Sequence, residues 1–168
     1  MGPQRRMARS PRAWCAALLC CLTGPLAAQQ LYWYDGALRR PLWAEPGVVA
    51  DFSGDAREKS QVIRSSALSK TDLARQSPVF RDQAQGGGTR ALPGGVLVRF
   101  KADSTEAQQA ALVARHGLTV VRRIGDSGTS YLVGGPPGEA SLTLANRLFE
   151  SGDFEAASPN WWQPRRLK

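Results

Sequence analysis

Cysteine and histidine are almost missing from this 168-residue chain: its three cysteines, Cys15, Cys20 and Cys21, crowd near the N-terminus, and its one histidine is His116. If the first 28 residues are removed as a leader, no thiol remains to form a disulfide or a thiolate metal site. One imidazole cannot build a zinc site alone. His116 stands just before Gly117, at the end of a predicted helix, where the ordinary role of a histidine is interaction with the helix dipole. There is no G-x-S-x-G nucleophile elbow. Gly86-Gly87-Gly88 lacks the Lys-Ser/Thr of a phosphate loop, and Asp126-Ser127 are ordinary formers of a Gly-flanked turn. These absences predict a protein that is not an enzyme, with no catalytic residues, no metal site and no cofactor. Long apolar runs are missing too. The one near candidate, Ala13 to Leu22, is well short of the ~20 residues a membrane-spanning helix needs.

What is present at the start has the order of a secretory signal. Arg5, Arg6, Arg9 and Arg12 form a basic region, Ala13 to Leu22 an apolar core, and TGPLAAQ supplies small residues, with cleavage expected after Ala28. A lipid-anchor signal would have a small residue where Leu19 precedes Cys20. Four of the 22 basic residues lie in this leader, so the remaining 18 face 14 acidic residues and the net charge falls from +8 to +4. The expected location is periplasmic or secreted, with no membrane association after cleavage.

Residues 29–53 read as a small β-rich segment. Leu31 to Tyr34 is rich in β-formers, Asp35-Gly36 is a two-residue hairpin signal, Ala37 to Trp43 is the return run, and Glu45-Pro46-Gly47 breaks it before a third strand over Val48 to Phe52. Tyr32, Trp33, Tyr34, Trp43 and Phe52 suit either a packed meander or an aromatic docking surface. Residues 54–91 are polar and end near Gly86-Gly87-Gly88, which reads as a connector. A short helix over Ala56 to Arg75 fits the spacing of Val62, Ile63, Ala67 and Leu68, and SPVFRD (Ser77 to Asp82) is an apolar island that could pin the connector down.

Residues 92–160 are regular. Gly95 to Lys101 alternates as a strand, and Asp103-x-x-Glu106 has capping-box spacing for a helix over Thr105 to His116, with Ala107, Ala111 and Ala114 on one face. Leu118 to Ile124 and Thr129 to Val133 are strands around a Gly125–Gly128 turn. A second helix spans Glu139 to Ser151, with Leu142, Ala145, Leu148 and Phe149 as its stripe, and Phe154 to Ser158 is a last strand. The order β-α-β-β-α-β predicts an α+β, ferredoxin-like domain, two helices on one face of an antiparallel sheet and the other face open to a partner. The RNA-recognition fold has the same order. Here, however, its first and third strands offer only Phe100 and Tyr131, and Arg122-Arg123 and Arg165-Arg166 are pairs rather than a stripe, so nucleic acid is not expected as a partner.

The C-terminal part resembles the propeptide domain of subtilisin-family serine proteases. The resemblance runs through GGVLVRFK (Gly94 to Lys101), HGLTVVRRI at the end of the first helix, SYLV (Ser130 to Val133) and LANRLFESGDFEAASPN (Leu144 to Asn160), where Phe154, Ala157, Pro159 and Asn160 match the family's V/F-x-x-A-x-P-N strand. YWYDGALRRPLW and SPVFRDQAQGGGTRALPGG also resemble the front of the external chaperones that serve secreted subtilisin- or kexin-like bacterial proteases. The family often has Glu before Pro-Asn; this chain has Ser158, which puts an acidic contact there in doubt.

The resemblance implies a one-to-one complex in which the open sheet face packs on two protease helices and the C-terminal tail lies in the substrate cleft as an added strand. With the sequence ending eight residues after Asn160, the expectation is a chaperone and temporary inhibitor acting in trans. The tail, residues 161–168, is WWQPRRLK. The residues expected to touch the partner are Phe154, Asn160, Trp161, Trp162, Arg165, Arg166, Leu167 and Lys168, the alternative for Trp161 being that it packs back on its own sheet. The basic tail suggests a client that accepts basic residues, or else it is simply solvated. The competing readings are a stand-alone inhibitor without folding activity and a basic module for polyanions.

Overall fold

A computed structural model describes residues 30–52, 61–64 and 75–164, together with Gly2. The expected leader, most of the expected helix over 56–75 and the last four residues lie outside the described residues.

Strands β1 (Tyr32–Asp35) and β2 (Leu38–Pro41) form an antiparallel hairpin. Its closing pair is Asp35–Leu38, so the two-residue loop is Gly36-Ala37, one position later than the Asp35-Gly36 loop expected from sequence. Gly36 has φ 60°, and among the described residues no non-glycine residue has positive φ. A type I′ loop needs positive φ at both central residues, whereas II′ needs it only at the first, where Gly36 sits.

Strand β3 (Trp43–Asp51) continues through Glu45-Pro46-Gly47 instead of ending there. Its pairing with β5 (Gln76–Arg81) jumps from Ala44–Phe80 to Val49–Pro78, which leaves the extra residues bulged out. A bulge tolerates Pro46, which has no N–H to give the ladder, and uses Gly47 at φ 71°. Strands β4 (Gln61–Arg64) and β6 (Thr89–Arg90) complete an antiparallel sheet of order β4-β3-β5-β6. Val62 and Ile63 therefore lie in a strand, not in the helix their spacing suggested, and the SPVFRD island is most of a central strand.

The C-terminal half runs β7 (Val96–Arg99), α1 (Glu106–Arg115), β8 (Val120–Arg123), β9 (Ser130–Val133), α2 (Glu139–Glu150) and β10 (Ala156–Pro159). The sheet order is β10-β7-β9-β8, all antiparallel. The fold is α+β, and this order is compatible with the expected ferredoxin-like arrangement. Its core is Val96, Val98, Phe100, Val133, Ala145, Leu148, Phe154 and Ala157.

Both helices differ in detail from expectation. The N-cap of α1 is Thr105, whose side chain accepts from Gln108 N–H (3.3 Å) while the Gln108 side chain accepts from Thr105 N–H (2.7 Å). Asp103 lies instead in the turn before the helix, where Lys101 O accepts from Ser104 N–H (3.0 Å). Ala107, Ala111 and Ala114 are exposed, and the inward face carries Gln109, Leu112, Val113 and His116, the i, i+3, i+4, i+7 pattern. In α2, Ala145 and Leu148 face the sheet, but Leu142 packs with Leu42, Phe80 and Leu92 of the N-terminal region. Helix α2 is thus buried on two sides.

Candidate functional site

Successive strand residues point to opposite faces of a sheet. With Val96, Val98 and Val133 committed to the helices, the opposite face is drawn by the register. One row crosses all four strands as Ser158, Leu97, Leu132 and Arg122; the next holds Ala156, Arg99 and Ser130. Leu97 and Leu132 are half-buried and join none of the apolar clusters among the described residues. Arg99 and Arg122 are exposed, and Arg99 pairs with Glu155 at 3.0 Å. The face is therefore a short apolar strip flanked by arginines. At its edge, β8 shifts register between Val120 and Arg122 and leaves Val121 59% exposed. Ser158, the departure from the resembled family, stands at the β10 end of this row, on the edge strand opposite β8.

The expected partner-binding residues have distinct places. Phe154 is 4% exposed and packs against Phe100 and His116, with ring centroids 5.3 Å away in each case, so its side chain serves the core. Asn160 ties the end of β10 to the start of β7, its Nδ2 donating to Gly94 O (3.0 Å) and its N–H to Gly95 O (3.2 Å). Trp161 lies edge-on to Trp33 (5.4 Å) and Phe80 (6.3 Å), with the Arg90 guanidinium 5.6 Å from its ring. Trp162 lies edge-on to Phe52 (5.9 Å) and exchanges backbone hydrogen bonds with Ala91. Arg165, Arg166, Leu167 and Lys168 lie outside the described residues.

Sequence reasoning missed the cluster that receives Trp161. Arg90 sits 5.1 Å from the Trp33 ring as well and pairs with Asp82 at 3.2 Å. Only the density of aromatics in residues 31–43 hinted at it. Also missed was the seat of the hairpin on α2: Tyr34 stacks on Phe149 (4.3 Å), Asn146 Nδ2 donates to Tyr32 O (2.9 Å), and the hydroxyls of Tyr32 and Tyr34 both donate to Glu150 Oε1 (2.9 and 3.0 Å). Those bonds to the carboxylate raise both phenol pKa values. The α1 end is latched by His116 Nε2, 2.7 Å from Asp153 Oδ2. That hydrogen bond, with Arg115 nearby, lowers the Asp153 pKa.

Among the described residues no three His, Cys, Asp or Glu side chains gather to hold a metal, and no helix is long and apolar enough to cross a membrane. Chemically the arrangement offers surfaces: an apolar strip with cationic flanks on the sheet, and a tail held against the N-terminal strands after β10.

Residues 79–160, just under half of the chain, match the family model of the fervidolysin N-terminal prodomain. The match supports a subtilisin propeptide-like domain over this segment. The match begins at Val79, inside β5, so it reaches back into the stretch read from sequence as connector. No curated protein and no solved structure matches the chain.

Proposed function

We propose that this protein is a secreted chaperone and temporary inhibitor of a subtilisin-type serine protease, acting as a separate polypeptide and performing no catalytic step itself. The observation that carries the reading is the prodomain match over residues 79–160, the segment that contains all four strands of the β10-β7-β9-β8 sheet. A domain that binds only the native-like protease stabilises that state by mass action, and the same occupancy blocks the enzyme until the domain is removed. An interface of ordinary size buries about 1,200–2,000 Å² in total. The row Ser158, Leu97, Leu132 and Arg122 supplies its centre, and the residues beyond Trp162 enter the substrate cleft.

The test is added protein against denatured and native subtilisin-type protease. The full chain without residues 1–28 should raise the yield of active enzyme on refolding and inhibit the native enzyme with one-to-one stoichiometry. Removing residues 163–168 should abolish inhibition and leave the circular dichroism spectrum unchanged. Inhibition without any gain in refolding yield would reduce the protein to a stand-alone inhibitor. No effect of either kind would overturn the proposal.

A further inference from the structure

The chain just beyond the propeptide-like fold is gripped from two sides. Trp161 and Trp162 are neighbours in an extended run, so their side chains point in opposite directions. Each enters a different apolar cluster: Trp161 joins Leu42, Phe80, Leu92, Leu142 and Trp33, and Trp162 joins Ala50, Val79, Ala91 and Phe52. Between them the backbone is pinned, with Ala91 N–H donating to Trp162 O (3.0 Å) and Trp162 N–H to Ala91 O (2.9 Å). Most of these partners come from the N-terminal strands and from the segment just after β6; Leu142 is the contribution of α2.

We propose that the N-terminal sheet is a positioning device that fixes where and in which direction the C-terminal tail leaves the domain, with Phe52 and Trp162 as positioning residues for inhibition. This rests on the protease-inhibitor reading above. Each residue beyond Trp162 adds at most about 3.5 Å of reach, so the exit point sets which part of a cleft the first residues of the tail meet. Fixing that point before encounter lowers the ordering cost of binding. The two tryptophans then act by holding the chain, and they need not touch the protease.

The contact partner separates these roles, because Phe52 belongs to the N-terminal sheet and Trp162 to the tail. Inhibition constants are measured for the full chain without residues 1–28, for Trp162→Ala, for Phe52→Ala and for the double variant. Thermal unfolding checks each fold, and Phe52→Leu stands in if Phe52→Ala does not fold. The expected result is inhibition weakened ~10-fold or more by either substitution, with the double variant no weaker than the worse single one, as for residues acting through one shared contact. Hydrogen exchange on the free protein should show the Trp162 amide protected in the wild type and exposed in Phe52→Ala. A silent Phe52 substitution, additive effects, or an unprotected Trp162 amide in the wild type would overturn the positioning role. If the wild-type chain inhibits no subtilisin-type protease while its Trp162 amide is protected, the functional reading has failed and the anchoring of the tail stands; normal inhibition with an unprotected Trp162 amide sinks the positioning role alone.

Discussion

The sheet β10-β7-β9-β8 and the sheet β4-β3-β5-β6 each have four strands, yet among the described residues only the first has helices of its own. Its core closes within residues 96–157 through α1 and α2. The N-terminal sheet instead borrows cover: Leu142 from α2, and Trp161 and Trp162 from the tail. The difference teaches that the N-terminal region is an addition whose apolar surface is completed by a finished domain, and that completing it ties down the tail. One side chain on each borrowed contact is therefore expected to matter to both regions.

The largest expected effect tests that dependence. Phe80 is fully buried among Leu42, Leu92, Leu142 and Trp161, and Phe80→Ala should cost about 3–5 kcal/mol in urea unfolding. All four tryptophans among the described residues (Trp33, Trp43, Trp161 and Trp162) lie in or against the N-terminal sheet and hairpin, whereas both described helices belong to the other region. Indole fluorescence and far-ultraviolet circular dichroism thus report on different regions. Coincident transitions in the variant are expected, because Leu142 and Trp161 couple the two. Fluorescence that unfolds at lower urea than the helices would show the N-terminal sheet to be a separable unit.

The same contrast explains what could be read in advance. GVLVRFK and SYLV alternate because one face is buried under helices, so their strands, the open face and the β-α-β-β-α-β order are local patterns. In α1 the signal misled: the alanines imitate an apolar face, and the true inner face includes Gln109, whose Oε1 accepts from the Tyr131 hydroxyl (3.3 Å) and whose Nε2 donates to Ser104 O (3.3 Å). Strand β5 looked like an island because Pro78 counts against a central strand. The seats of Trp161 and Trp162 depend on Trp33, Phe52, Phe80 and Arg90, all far away in sequence, and no local pattern encodes such pairs.

A smaller effect probes the thin side of the propeptide-like domain. With its alanines exposed, α1 relies on its cap more than α2 does, since α2 is packed on two faces. Removing the Thr105 hydroxyl by Thr105→Ala should cost about 1 kcal/mol. Amide exchange should quicken through the first turn of α1 and stay unchanged in α2. Equal acceleration in both helices would mean that α1 opens only when the whole domain does, and the two helices would then not differ in the way their packing suggests.

The smallest effect is in the pH dependence, where the two regions carry opposite latches. Asp153, held by His116, has a lowered pKa in the folded protein; its contribution is complete above the ordinary carboxylate pKa of about 3.9 and is lost as the pH falls through the folded value. Tyr32 and Tyr34, bonded to Glu150, have raised pKa values; their contribution is complete below about pH 10 and is lost as the pH rises through the folded values. Acid should therefore loosen the α1 end of the propeptide-like domain, and alkali should loosen the hairpin from α2. Thermal midpoints measured across both limbs check this. Asp153→Asn should flatten only the acid limb, and the pair Tyr32→Phe with Tyr34→Phe only the alkaline one. Both latches lie near solvent, so each change is expected to be modest. If the alkaline loss persists in the double phenylalanine variant, another group titrates there, and the hairpin is held by the Tyr34–Phe149 stack and the Asn146–Tyr32 bond, neither of which changes with pH.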